Sequence, residues 1–187
     1  MEMDSKQEIQ WRIRQAAEKV FKERGYERAD MRTIAQEANI AVGTIYNYYQ
    51  NKALLYHDIL IGEWETIRTR IERLMIEESS CRERIKQISA LLFPFISGHI
   101  NEWHEIMADV QYHHHGDKGR QAQLLAHQEL KDQLNQLFMD GGYSSEQATR
   151  LTLTFVGTLT QLGVTYPENA EENTQYMTWL FTHLLTK

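Results

Sequence analysis

Apolar residues recur along this chain at intervals of three and four, the spacing of one face of an α-helix, with few interruptions. Ile9, Ile13, Ala16, Ala17, Val20 and Phe21 form the first such stripe, and it stops at "RGY", where Gly25 supplies the left-handed residue that closes many helices. A first helix is therefore predicted to end near Arg24. Asp30 is placed to cap a short second helix whose apolar side is Met31, Ile34, Ala35 and Ala38. Asn39 follows, a residue type that tolerates a left-handed turn position, and a third helix begins near Val42. Two short helices joined by a tight turn make a helix-turn-helix unit.

Beyond Lys52 the pattern predicts one long helix through Leu54, Leu55, Ile59, Trp64, Ile67, Ile71 and Leu74, so the first segment runs into the rest without a linker. Further helices are expected over about 81–96, 98–112, 119–140, 145–163 and 170–185, separated in part by Gly116, Gly141, Gly142 and Pro167. "LTLTF" from Leu151 alternates like a strand, and its threonines favour one. Alternation fails at Val156 and Gly157, whereas Ala148, Leu151, Phe155, Leu159 and Leu162 hold a helical seam, so the segment is read as helix. Leu153, Val156 and Val164 lie off that seam, and the last helix is apolar on more than one side at Tyr176, Met177, Trp179, Leu180, Phe181 and Leu184. A helix with two apolar sides must be buried on both. The surplus predicts a symmetric homodimer built as a four-helix bundle, with Phe155, Leu159, Trp179 and Leu180 as its expected interface residues.

The third helix carries the densest chemistry. In "IAVGTIYNYYQNK", Ile45 and Tyr49 are four apart and are expected to pack inward, with Tyr48 facing out and Tyr46 at the edge. Gly43, Thr44 and Asn47 share the outer side. A glycine near a helix start permits another surface to come close, and the hydroxyls of Thr44, Tyr46 and Tyr48 with the Lys52 ammonium can donate to phosphate oxygens. Asn47 is the best candidate to read a base, because an amide can bond adenine bidentately.

Composition narrows the classes. At 187 residues and 42% apolar the chain can bury a substantial core, and two prolines with ten glycines argue against long flexible linkers. Its N-terminal residues show no basic region before an apolar run, and nowhere are eighteen apolar residues consecutive, so no membrane segment is expected and the cytoplasm is the predicted compartment. A single cysteine, Cys81, leaves no partner for an intrachain disulfide or a thiolate-rich metal site. Charge is uneven: residues 1–60 balance nine Lys/Arg against nine Asp/Glu, while residues 61–187 hold 11 against 17 and so account for the net −6. Nucleic-acid binding needs only a local basic face, and the neutral N-terminal segment is where one can form.

"MRTIAQEANIAVGTIYNYYQNKALL" resembles the DNA-binding signature of the tetracycline-repressor family, with its Ile/Leu-Ala pair, Ala-Gly-Val-like turn, Tyr-x-x-Phe-like helix and Lys-x-x-Leu at this spacing. The resemblance covers some twenty-five residues without a gap; Asn39 stands where glycine is usual, and Ala41 where serine is common. It implies an all-α fold: an N-terminal three-helix helix-turn-helix DNA-binding domain, residues 1–52, joined to a C-terminal helical ligand-binding and dimerisation domain, residues 53–187. It implies a homodimeric regulator, most often a repressor, that occupies a palindromic double-stranded operator and leaves when a small-molecule effector binds. Carried over by position, Arg32, Thr33, Val42, Gly43, Thr44, Tyr46, Asn47, Tyr48 and Lys52 fall where that family touches DNA.

An effector site is expected among Phe93, Trp103, His104 and Met107, with Phe95 beside them, where aromatic and soft side chains concentrate. Glu102, Glu105 and Asp109 nearby would suit a cationic aromatic ligand or mark a solvated face. The run His113 to His115 invites a metal reading, but adjacent helical residues point about 100° apart and cannot readily surround one ion, so no metal or other cofactor is assigned. The competing readings are a histidine-dependent metalloenzyme and a DNA-binding regulator without an effector. Against an enzyme, the chain shows no nucleophile elbow, phosphate loop or paired-histidine helix.

Overall fold

The computed structural model of the chain describes the backbone of residues 5–77, 79–112 and 116–185 and, within these, the side chains outside 100–127. The described residues form eight α-helices and no strand: α1 (Ser5–Arg28), α2 (Met31–Glu37), α3 (Val42–Tyr48), α4 (Lys52–Ile76), α5 (Cys81–Tyr112), α6 (Gly116–Asp140), α7 (Ser145–Thr165) and α8 (Ala170–Leu184). They fold as two compact units, one built on the chain up to Glu63 with Glu105–Gly116, the other on Trp64–His104 with the chain from Asp117 onward.

In the first unit the predicted stripes become its core. Ile13, Ala17, Ile34, Ala35, Ile45 and Leu55 are completely or almost completely enclosed. Phe21, Tyr26 and Tyr56 meet ring to ring, with centroids 4.9–5.8 Å apart. Gly25, at φ 75° and ψ 163°, breaks the helical path of α1, so the last turn of that helix is set at an angle to the rest. Asp30 caps α2 by accepting from the Thr33 backbone N–H at 2.9 Å. At the other end Asn39 takes φ 54°, and the bonds Asn39 N–H to the Gln36 carbonyl and Ile40 N–H to the Ala35 carbonyl, both 3.0 Å, close the helix in a Schellman motif. An asparagine thus does here what a glycine does more often.

The second unit packs around Phe138, Phe155 and Phe181, whose rings lie 5.4–5.8 Å from one another in two pairs, together with Ile71, Ile85, Ile88, Leu92 and Met177. α7 starts with a complete capping box between Ser144 and Gln147. Helix α8 is held at both ends: the Asn173 amide donates to the Tyr166 carbonyl at 2.9 Å, and Arg82 donates to the Leu185 carbonyl at 2.8 Å. "LTLTF" is helical as read. Thr149 and Thr154 donate their hydroxyls to carbonyls four residues back, at 2.9 Å, which makes them tolerable in a helix. Two expected helices are one. α5 runs from Cys81 to Tyr112 through Pro94, because burial of Ile85, Ile88, Leu92 and Phe93 outweighs the single backbone bond that an exposed proline forfeits.

Among the described residues no helix is long and apolar enough to cross a membrane.

Candidate nucleic-acid interface

Helix α3 is only seven residues long, and its N-cap, Ala41, makes no side-chain bond to the helix start. Such a helix is not stable by itself, and what fixes it is its surroundings. Ile45 is fully enclosed and Tyr49, which ends the helix, nearly so. These two inward positions leave Gly43, Tyr46 and Asn47 outermost, while Val42, Thr44 and Tyr48 are half-buried. The expected roles of two tyrosines are therefore exchanged: Tyr46, 49% exposed, faces out, and Tyr48 lies at the edge. Tyr46 lies three residues from Gly43, one helical turn on, whereas Tyr48 lies three from Ile45 and is drawn partly inward.

Directional polar bonds hold α3 and its neighbours. The Tyr49 hydroxyl donates to Asp58 Oδ2 on α4 at 2.6 Å and accepts from the Gln10 amide on α1 at 3.2 Å. Burial, with the Asp58 bond second, pushes the Tyr49 hydroxyl pKa up, so it stays protonated and able to donate. Asp58 also faces Arg14, with Nε 3.7 Å away, and Arg14 Nη2 donates to the Asp58 carbonyl at 3.3 Å. Gly62 makes room for that guanidinium: a Cβ there would stand 2.0 Å from Arg14 Nη2. Next to Asp58, burial pushes the His57 imidazole below its usual range, against an opposing pull from Asp58.

The predicted DNA-facing residues are not equally available. Arg32 is exposed on α2. Thr33 is occupied by the cap, its hydroxyl donating to Asp30 Oδ2 at 3.0 Å and accepting from Arg24 at 3.5 Å. The bond from the Thr33 N–H, then the one from its hydroxyl, holds the Asp30 carboxyl below the ordinary aspartate range. Lys52 is engaged within the fold: Nζ donates to the Tyr26 carbonyl at 2.6 Å and the Glu27 carbonyl at 3.4 Å, and stands 4.1 Å from the centre of the Tyr26 ring. It closes the angled last turn of α1. Arg12, which the sequence pattern did not single out, does the same for α2, donating to the Ala38 and Asn39 carbonyls at 2.6 and 3.2 Å. Its partners lie 26 and 27 residues away, so no local spacing announces them.

Elsewhere the residues expected at a dimer interface and at an effector site fall in different surroundings. Phe155 and Leu159, read as interface, are enclosed in their own unit's core, because the seam they share with Ala148 is the inward one. Leu180 packs against that core from its edge. Trp179 does face outward, 55% exposed, with the Tyr176 and His183 rings 5.7 and 4.8 Å from it, and Leu153, Val164 and Leu184 are exposed too. Phe93, expected at a ligand wall, is completely enclosed among Leu92, Ile88 and Phe138. A separate aromatic group joins Trp64, Phe95 and His99, with the Phe95 ring 5.9 Å from Trp64 and 5.2 Å from His99. The side chains of Trp103, His104 and Met107, and those of Glu102, Glu105 and Asp109, lie outside the described residues, as do His113 to His115. Among the described residues no cluster of His, Cys, Asp and Glu could hold a metal ion.

Known proteins match this arrangement. Residues 13–59, which span α1 to the early turns of α4, match the family described as bacterial regulatory proteins, tetR family. The HTH-type transcriptional repressor KstR of Mycolicibacterium smegmatis is 30% identical over 82 residues, 44% of this chain and 40% of that protein. The fatty acid metabolism regulator protein of Bacillus subtilis is 32% identical over 103 residues, 53% of this chain and 51% of that protein. The chain thus spans about half, or less, of the length of these curated relatives. Among solved structures, a TetR/AcrR-family transcriptional regulator from Thermobifida fusca superposes with a TM-score of 0.74 at 18% identity, over 95% of this chain and 96% of its own. FadR from Bacillus subtilis, solved with stearoyl-CoA, gives 0.59 at 21% identity over 95% and 97%. These likenesses extend the same all-helical fold beyond the matched head, and residues 13–59, with the helix-turn-helix built as described, form a DNA-binding domain of the tetR family of bacterial regulatory proteins.

Proposed function

We propose that the chain is a DNA-binding transcriptional regulator, a repressor that holds a palindromic operator as a homodimer and is released by a small-molecule effector. The observation that carries this reading is the outer face of α3. Gly43, Tyr46 and Asn47 stand exposed on a helix whose opposite side, Ile45 and Tyr49, is fixed in the core. A glycine lets DNA come close, the Tyr46 hydroxyl and the exposed Arg32 reach phosphate, and the Asn47 amide reads a base edge. Thr44, Val42 and Tyr48 border that face. Lys52 spends two donors on carbonyls of α1 and keeps its third for phosphate, so its first duty is to shape the head. Thr33 acts through the cap of α2.

In this reading residues 1–52 form the operator head, and the chain from residue 53 receives the effector and dimerises. The exposed apolar side chains of α7 and α8, Leu153, Val164, Tyr176, Trp179 and Leu184, support a second copy as their cover, since large apolar groups grouped on a surface mark an interface. Two heads on one duplex then meet half-sites about 34–36 Å apart or a multiple of it. Helix α4 has no proline from Lys52 to Ile76, so a ligand that prefers one orientation of it changes the spacing of the heads. A tenfold loss of affinity needs only about 1.4 kcal/mol of such preference. The aromatic group Trp64, Phe95 and His99 is the place to seek the effector. Because one structural neighbour holds stearoyl-CoA, a long-chain acyl-CoA is the first to try.

The test is selection from a random duplex library. Enrichment of an inverted repeat, bound as a dimer and weakened by an effector, supports the reading. A library that stays random after repeated selection contradicts it.

A further inference from the structure

We infer that the Tyr49 hydroxyl and the Asp58 carboxylate are positioning residues for operator recognition, a directional tie that sets the angle at which α3 presents Tyr46 and Asn47. The inference rests on the proposed DNA-binding reading and deepens it. An α-helix of seven residues with an unbonded N-cap gains little rigidity from its own backbone. Its two buried side chains, Ile45 and Tyr49, fill space but do not define a direction, because apolar packing is non-directional. The Tyr49 hydroxyl does define one. It donates to Asp58 Oδ2 at 2.6 Å, a short bond for a hydroxyl donor, and receives a second bond from Gln10.

Asp58 is in turn held from its other side. Arg14 pairs with its carboxylate and donates to its carbonyl, and the lack of a side chain at Gly62 gives the guanidinium its place. One chain of bonds, Gln10 to Tyr49 to Asp58 to Arg14, therefore links the end of α3 to α1 and α4. A phenylalanine at the position of Tyr49 would pack the same way without the bond. Removing the hydroxyl leaves the fold and frees the helix to rock about Ile45. Contacts to phosphates tolerate that, whereas a side chain reading a base edge is sensitive to small misplacements.

The experiment uses the full chain and a duplex selected by the unmodified protein from a random library, beside a scrambled duplex of equal length. For Tyr49→Phe we expect about five- to tenfold weaker binding of the selected duplex, unchanged binding of the scrambled one and a circular dichroism spectrum like that of the unmodified protein. In an Asp58→Ala background, Tyr49→Phe should have no further effect, while Asp58→Asn, which keeps an acceptor for the hydroxyl, should retain more of the preference than Asp58→Ala. Equal affinity of Tyr49→Phe and the unmodified chain for the selected duplex overturns the inference while leaving the DNA-binding reading intact. Equal weakening on both duplexes also overturns it, assigning the hydroxyl to stability alone. If no duplex is selected, the DNA-binding reading fails and the inference falls with it.

Discussion

Helices α3 and α7 both show large side chains to the outside, but they are held in place by different means. α7 has twenty-one residues, a complete capping box and an inward seam that includes Ala148, Phe155 and Leu159, so burial and its own backbone keep it in position. α3 has seven residues, no side-chain cap bond and two inward side chains, and its end is tied by the polar bond from Tyr49 to Asp58, while Arg12 and Lys52 fix the ends of α2 and α1 beside it in sequence. The difference teaches how a short helix can be given a precise surface. Apolar packing supplies cohesion, and bonds with direction supply aim.

The comparison can be broken most strongly at the core of the second unit. Phe181→Ala removes a ring that touches both Phe138 and Phe155 and should cost about 3–5 kcal/mol in urea unfolding of that unit. If the loss is under 1 kcal/mol, burial is not what secures α7 and α8. Next in size is the surface of the same pair. Trp179→Glu, at an exposed position, should leave helix content unchanged and yield monomers in sedimentation at micromolar concentration, with operator affinity reduced at least tenfold because the two heads no longer share one duplex. A Trp179→Glu chain that stays dimeric would place the interface elsewhere.

Polar supports of the head should give smaller effects. Arg12→Ala removes the donor on the Ala38 and Asn39 carbonyls and should lower stability of the head by about 1–2 kcal/mol, visible in hydrogen exchange of the α2 and α3 amides. Ala41→Ser supplies the missing cap and should raise stability by about 0.5–1 kcal/mol without changing which duplex is selected. The smallest effect is a matter of pH. The folded pKa of His57 lies below its unfolded value of about 6.5, so the unfolded chain binds the proton more tightly. Its contribution is fully present above pH ~6.5 and is lost as pH falls through the lower folded value. His57→Gln should accordingly flatten the acid side of the stability profile, and an unchanged slope there would show that this imidazole is not set apart from water.

What the sequence disclosed follows the same division. Helix stripes, the Asp30 cap and the Asn39 turn are local patterns, and the structure has them where the pattern put them. A boundary was expected between residues 96 and 98, yet α5 continues through it and through Pro94, because a breaker's cost is local while the burial that overrides it comes from other helices. Which seam of α7 faces inward depends equally on its neighbours. Two apolar sides were visible in the sequence, but not that Phe155 belongs inside and Leu153 outside. The ties from Arg12 to Asn39 and from Lys52 to Tyr26 cross more than twenty residues, and a cation in a sequence carries no mark of whether it will meet a carbonyl or a phosphate.

The central claim is that the outer face of α3 reads DNA sequence, and Asn47→Ala tests it most directly. Titrations of the selected and the scrambled duplex at two salt concentrations should show the preference between them reduced by about 1–3 kcal/mol, while the salt slope and the unfolding midpoint stay unchanged. A preference equal to that of the unmodified protein would contradict the account.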